Sequence, residues 1–130
     1  MNKTTLSRYE QAVMDLKSID PDFKNRFCEI LRTVRTSNPQ PDEHRQIIWD
    51  TSSTIIGPAF FFFTRWVLQE AKKRNIRRLY FLSRDGRIFH KIAQIIDAIS
   101  PQGIDLRYLY GSRHLWLTAS IEKIGPYEID

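Results

Sequence analysis

The spacing of hydrophobic and polar positions changes about halfway along this chain. Before the polar loop at residues 37–42, apolar side chains recur every three to four positions, as on one face of a helix. This spacing predicts a first helix around Leu6–Leu16 and a second around Phe23–Val34, with Pro21 at its first position. Asp42 is placed to cap a third, short helix. The front of the chain is therefore expected to be helical throughout.

The second half begins with a strongly apolar helix and continues with two short apolar runs. Gly57-Pro58 is expected to open the helix and Asn75 to end it, and its four consecutive phenylalanines predict that other elements enclose it. The runs at Ile76–Leu82 and Ile104–Tyr110 predict two strands with a helix between them. The first run hardly alternates, which predicts a strand covered on both faces. A strand, a helix and a strand in this order predict a parallel βαβ unit.

The predicted fold class is therefore α/β. A helical N-terminal portion, residues 1–50, is followed at residues 51–130 by an incomplete Rossmann-like parallel βαβ unit, together forming one compact domain. Two parallel strands make a poor sheet, because such strands need neighbours and cover on both faces. We expect the first half of a doubly wound domain: a fragment, a naturally short relative or a subunit completed by a partner. Self-association or a protein partner is predicted for the same reason.

Polar residues follow both predicted strands, as Ser83-Arg84-Asp85-Gly86 and Gly111-Ser112-Arg113. The carboxyl ends of adjacent parallel strands border one crevice, where α/β folds bind anions and place catalytic groups. Asp85 is a candidate acid/base residue or metal ligand, and Gly86 permits a positive φ and close approach of a ligand. The candidate anion-binding residues are Arg84, Gly86, Arg87, Ser112 and Arg113. The alternative for both strand ends is that a polar residue merely caps the next helix.

The charge of the chain is uneven. The net charge is +5, and residues 65–113 alone hold 11 Lys/Arg against 4 Asp/Glu, a local balance of +7. Such a basic segment is suited to binding phosphate, nucleic acid, an acidic partner or anionic lipid. The alternative is a cationic surface that contacts only solvent.

The cysteine, the histidines and the apolar runs bear on the cellular compartment, on metal binding and on membrane association. The single cysteine, Cys28, lies among apolar neighbours, which predicts a buried inert thiol and a reducing, cytoplasmic compartment. The N-terminus has no signal-peptide core, and the interrupted apolar run at residues 55–68 is too short to span a membrane. His44, His90 and His114 lack the spacing of a helical metal site. No metal site and no membrane association are expected from these patterns.

The stretch from Gly57 to Arg113 resembles a domain of bacterial predicted hydrolases of the haloacid dehalogenase (HAD) superfamily, associated with polysaccharide biosynthesis. The resemblance lies in Gly57-Pro58 and in the runs 78–86 and 107–113. In longer relatives, this type of domain follows a module with the intact D-x-D-G signature. The resemblance places Ser83 at the nucleophile position and Asp85 at the acid/base position, and matches Ser112 to the second signature. It also implies Mg²⁺ as a cofactor, although the strands carrying the later lysine and the metal-binding carboxylates are missing.

These observations predict a HAD-like Rossmannoid domain, truncated or degenerate, that binds a phosphate-bearing ligand within a hydrolase system. Whether it is an enzyme stays open, because Ser83 replaces the aspartate nucleophile; its candidate catalytic residues are Asp85 and Ser83, and no phosphatase activity is expected. The alternatives are a non-catalytic protein-interaction subunit and, less favoured, a basic nucleic-acid-binding module.

Overall fold

The fold is described from a computed structural model that defines residues 6–39 and 42–111. In chain order, its elements are helices α1 (Arg8–Met14), α2 (Pro21–Thr36) and α3 (Glu43–Thr51), a π-helical segment (Ser52–Ile56), helix α4 (Gly57–Lys73), strand β1 (Arg78–Leu82), helix α5 (Gly86–Ile99) and strand β2 (Asp105–Leu109). The described chain is mostly helical with one small parallel sheet, which confirms the coarse α/β class.

The chain forms two compact units, Met1–Phe62 and Phe63–Asp130, and the division falls inside α4. The sequence-based division after residue 50 and the single compact domain stay predictions.

The first three helices begin at side-chain caps, of which the sequence predicts the one at Asp42. Ser7 and Glu10 form a capping box at the start of α1. Asp20 accepts a hydrogen bond from the Phe23 N–H of α2, and Asp42 accepts one from the Arg45 N–H of α3. Each cap satisfies a backbone donor that has no partner within its helix, so these residues fix where the helices start.

The core of the first unit holds an ion pair. The Glu10 carboxylate is fully buried and accepts hydrogen bonds from Nε and Nη2 of Arg35, both at 3.2 Å, and from the Ser7 N–H at 2.6 Å. Such a charge pair is tolerated in a core only when its hydrogen bonds are satisfied. Cys28 is buried beside it, as predicted, and burial raises the pKa of its thiol. The Cys28 thiol is therefore poorly suited to act as a nucleophile.

Helix α4 begins at Gly57, as the sequence predicts, but the chain is already helical before this point. The chain stays helical from α3 into α4 through the π-helical segment, where the Gly57 N–H donates to the Ser52 carbonyl five residues earlier. Proline lacks an N–H and crowds the carbonyl one turn before it. A π-turn at this point widens the helix and accommodates that missing donor.

The phenylalanines of α4 are not enclosed on every side, which is a second correction. Phe61, Phe62 and Phe63 are 39–50% exposed, whereas the buried residues of α4 are Thr64, Leu68 and Ala71. Consecutive helical side chains point about 100° apart, so four in a row cannot share one core face. Their aromatic content therefore indicates surface aromatic clusters rather than a buried helix.

The two strands pair in parallel, as predicted, with Leu79 opposite Leu106 and Phe81 opposite Tyr108. Asn75 ends α4 at a φ of 55°, with the Asn75 and Ile76 N–H groups donating back to carbonyls of the last turn. The core of this unit consists of Leu68, Ala71, Ala93 and Ile104, with Leu79, Phe81, Ile96 and Leu106 packed against it. The strand pair and α5 thus form the predicted βαβ unit.

Strand β1 is covered on one face only, whereas its sequence predicts cover on both. Its exposure alternates residue by residue, and Tyr80 and Leu82 are 55% and 58% exposed. Register places Arg107 and Leu109 on the same outer face. The continuous apolar run misled the prediction because the outer face keeps apolar side chains without cover from the described residues.

Candidate functional site

Ser83 fastens the carboxyl ends of the two strands together. Its N–H donates to the Leu109 carbonyl at 3.0 Å, extending the ladder by one step. Its Oγ accepts from the Gly111 N–H at 3.0 Å and donates to the Gly111 carbonyl. Both functions of the hydroxyl are therefore used by backbone groups, and the residue at the expected nucleophile position has a structural role here.

Gly86 allows the first turn of α5 to lie directly against β1. A Cβ on this residue would lie 2.8 Å from the Phe81 carbonyl carbon and 3.2 Å from the Phe81 Cβ. Among the described glycines only Gly103 has a positive φ, so the positive φ expected at Gly86 is not observed. Gly86 is thus required because the helix packs closely on the strand. Close packing of this kind is one of the roles of glycine in phosphate-binding turns.

Asp85 immediately precedes α5, yet its side chain makes no capping hydrogen bond. This contrasts with Asp20 and Asp42, whose carboxylates cap α2 and α3. Asp85 is exposed, and within the described chain no hydrogen bond or ion pair involves its carboxylate. The capping interpretation of Asp85 is therefore wrong, and the first turn of α5 has no capping side chain.

Arg84 and Arg87 flank Asp85 at the same turn. Both are exposed, and the Arg87 N–H donates to the Arg84 carbonyl at 3.2 Å. Neither guanidinium forms an ion pair within residues 6–39 and 42–111, so anion binding by these groups stays a prediction. The other two candidates, Ser112 and Arg113, lie outside the described residues, as does His114.

A cavity of about 520 Å³ adjoins this turn. Its walls are Phe63, Thr64, Val67, Leu79, Tyr80, Phe81, Leu82, Ser83, Asp85, Gly86, Phe89 and Gly111. Most of these are apolar; of the polar members, Thr64 lies on α4, whereas Ser83 and Asp85 follow the carboxyl end of β1. Its volume falls in the range of small-molecule sites.

The wall residues on α4 and α5 were not identified from the sequence. Phe63 contacts Phe89 edge-on, with ring centroids 5.4 Å apart. The helical spacing of Phe63 and Val67, four residues apart, is the signal that places both on one side of α4. The prediction that the whole phenylalanine run lies in a core conceals this spacing.

His90 is partly buried within the βαβ unit. Its ring lies 5.3 Å from the Phe81 ring and 5.9 Å from the Tyr108 ring, and its Nε2 is 3.4 Å from the Leu106 carbonyl oxygen. These contacts place the His90 ring against β1 and β2.

The Mg²⁺ implied by the family resemblance does not fit the described residues. Magnesium prefers carboxylate, phosphate and water oxygens in an octahedral arrangement. Asp85 is the one carboxylate on the cavity wall, and residues 6–39 and 42–111 contain no group of three or more metal-ligating side chains.

Two of the four acidic residues within the basic segment, Glu70 and Asp105, form ion pairs with its cations. Asp105 pairs with Arg78 at 2.7 Å and Arg107 at 2.8 Å on the outer face of the sheet, and hydrogen bonds from Arg107 and then Arg78 lower its pKa. Glu70 pairs with Lys73 at 2.7 Å, and the hydrogen bond from Lys73 lowers its pKa. Part of the basic surface thus forms ion pairs within the chain, whereas Arg84 and Arg87 form none with the residues that the structure describes.

Comparison with protein-family models, with curated proteins and with solved structures finds no match to this chain. Within the described part of the chain, none of the helices combines the length and the apolar character needed to cross a membrane.

Proposed function

We propose that the βαβ unit is a HAD-like Rossmannoid binding domain that takes a phosphate-bearing ligand at the turn between β1 and α5. The observation that carries this proposal is the uncapped start of α5 beside the exposed Asp85, at one end of a cavity. Three other described helices begin at a capping side chain, so the free N-terminus of α5 is a local exception.

The turn offers complementary groups for such a ligand. Backbone N–H groups and the positive end of the helix dipole attract an anion at the first turn of α5. The guanidinium groups of Arg84 and Arg87 lie within the same turn and suit phosphate oxygens. The Asp85 carboxylate accepts hydrogen bonds from hydroxyl groups, which makes a sugar phosphate the best-matched ligand class.

Binding without turnover follows from the residue at the end of β1. A phosphatase of the expected type needs a nucleophile that attacks phosphorus. The Ser83 hydroxyl donates to one backbone group and accepts from another, both on Gly111. We therefore assign Ser83 to the scaffold and Asp85 to ligand contact.

Thermal unfolding in the presence of ligand tests the proposal. Inorganic phosphate and glucose 1-phosphate should raise the melting temperature of the wild type, because a ligand bound to the native state stabilises it by mass action. The double variant Arg84→Ala/Arg87→Ala should lose most of that shift. Lys91→Ala removes an exposed cation from the same helix one turn further on, and it should keep the shift. An unchanged melting temperature, or equal loss in all variants, would contradict the proposal.

A further inference from the structure

The cavity follows the unpaired edge of β1. Its wall includes the five consecutive residues Leu79–Ser83. Successive strand side chains point to opposite faces, so a cavity that touches all five lies along the edge of the strand. β2 pairs with the other edge, and among the described residues no strand pairs with this one.

The hydrogen-bond pattern shows which backbone groups face this edge. The Asp105 N–H donates to the Arg77 carbonyl at 2.9 Å, and the Ser83 N–H donates to the Leu109 carbonyl at 3.0 Å. Odd-numbered residues of β1 therefore turn their backbone groups towards β2, because these groups alternate along a strand. Arg78, Tyr80 and Leu82 turn theirs outward, which leaves a row of donors and acceptors on the open edge.

We infer that this edge is a homodimer interface, in which β1 pairs antiparallel with β1 of a second copy about a two-fold axis at Tyr80. This register pairs Tyr80 with Tyr80, Arg78 with Leu82, and Leu79 with Phe81, each across the axis. The aromatic and aliphatic pairs are favourable, and no two like charges stand opposite each other. A self-complementary patch of this kind is what a two-fold interface requires.

The Arg77–Asp85 pair favours a second copy as the occupant, although Arg84 and Arg87 beside Asp85 reduce this charge complementarity. Arg77 precedes β1 and Asp85 follows it; both are exposed, and within the described chain neither side chain has an ion-pair partner. Antiparallel pairing brings Arg77 of one copy to the end of the strand that carries Asp85 in the other. The edge between these ends has neither proline nor lysine, the residues that commonly protect free edges.

The neighbouring helix provides cover for the added strand. Phe63 and Val67 on α4 line the cavity beside the open edge. They are placed to pack on the inner-face side chains of the second copy's strand, its Leu79 and Phe81. The pairing uses residues 78–82, and the turn that holds the proposed ligand follows them in the chain.

Disulfide cross-linking tests the register directly. In a Cys28→Ser background, Tyr80→Cys places two thiols at a hydrogen-bonded pair, where Cα atoms are about 5.5 Å apart and a disulfide can form. Mild oxidation should give a covalent dimer that reductant reverses. Arg107→Cys is the matched control, because Arg107 is opposite Tyr80 on β2 and on the same outer face. Its two copies would be three strand spacings apart, about 14 Å, and should not cross-link.

Light scattering during size exclusion provides the second readout. The wild type should elute as a dimer. Leu82→Pro removes an outward-facing N–H without breaking the β1–β2 ladder, and it should be a monomer with an unchanged circular dichroism spectrum. A monomeric wild type would overturn the inference and show that another segment or partner covers the edge. A dimer that cross-links through Arg107→Cys but not through Tyr80→Cys would overturn it as well.

Discussion

At the scale of single residues, the turn after β1 contains three residues with separate roles. Ser83 joins the strand ends, Gly86 lets the helix approach the strand, and Asp85 is free of both tasks. The sequence indicates that this turn is special, because a buried strand ends there in Ser-Arg-Asp-Gly. It does not indicate that Ser83 bonds to Gly111, since that contact joins residues 28 positions apart.

Replacing Gly86 with alanine should destabilise the protein. In an ordinary helical position this change stabilises by roughly 0.4–1 kcal/mol, because alanine restricts the unfolded chain. Here the added Cβ would lie 2.8 Å from a backbone carbon of β1, and overpacking of this kind costs about 1–3 kcal/mol. Urea unfolding measures the sign of the change in unfolding free energy. A Gly86→Ala variant as stable as the wild type, or more so, would contradict the close packing.

At the scale of elements, the helix starts and the strands are predictable because local chemistry decides them. Pro21, Asp42 and Asn75 act where the sequence places them. The π-helical segment and the one-sided cover of β1 are not predictable in this way. The first depends on how the helix accommodates Pro58, and the second on which elements pack against the sheet. Hydrophobicity alone does not distinguish a covered face from an exposed one.

Two aspartates at helix starts should respond differently to truncation. Asp20→Ala removes the cap of α2 and should cost about 1 kcal/mol of unfolding free energy. Asp85→Ala removes no capping hydrogen bond and should cost only the dipole interaction, about 0.3–1 kcal/mol at low ionic strength. Added salt should therefore abolish the Asp85 effect and leave most of the Asp20 effect. Equal, salt-resistant losses in the two variants would mean that Asp85 is a cap after all.

The Asp105 pairs predict a pH dependence for the sheet. Hydrogen bonds from Arg107 and Arg78 lower the pKa of Asp105, so folding favours its charged form. The resulting stabilisation is present above the ordinary aspartate pKa of about 4 and is lost as the pH falls through the lowered value. Asp105→Asn should thus destabilise near neutral pH by a small amount, and the difference from wild type should vanish in acid. A constant Asp105→Asn difference down to acid pH would contradict the pairing.

At the scale of the whole molecule, one βαβ unit with a single covered face supports both proposals. Its open edge suits a second copy, and the turn at the end of its first strand suits a phosphate group. The sequence predicts the unit and its need for cover, because two short parallel strands are marginally stable without neighbours and cover. The proposed ligand and the resemblance to HAD-like domains rest on the turn at residues 83–87.

Amide chemical shifts during ligand titration test the central claim most directly. Glucose 1-phosphate added to ¹⁵N-labelled protein should shift the amide signals of residues 83–88 and Gly111 in a saturable way, because the proposed phosphate site is the first turn of α5. The same titration of Arg84→Ala/Arg87→Ala should give much smaller shifts. Shifts confined to the cationic end of α4, at Lys72, Lys73 and Arg74, or no saturable shifts at all, would contradict a ligand site at the turn between β1 and α5.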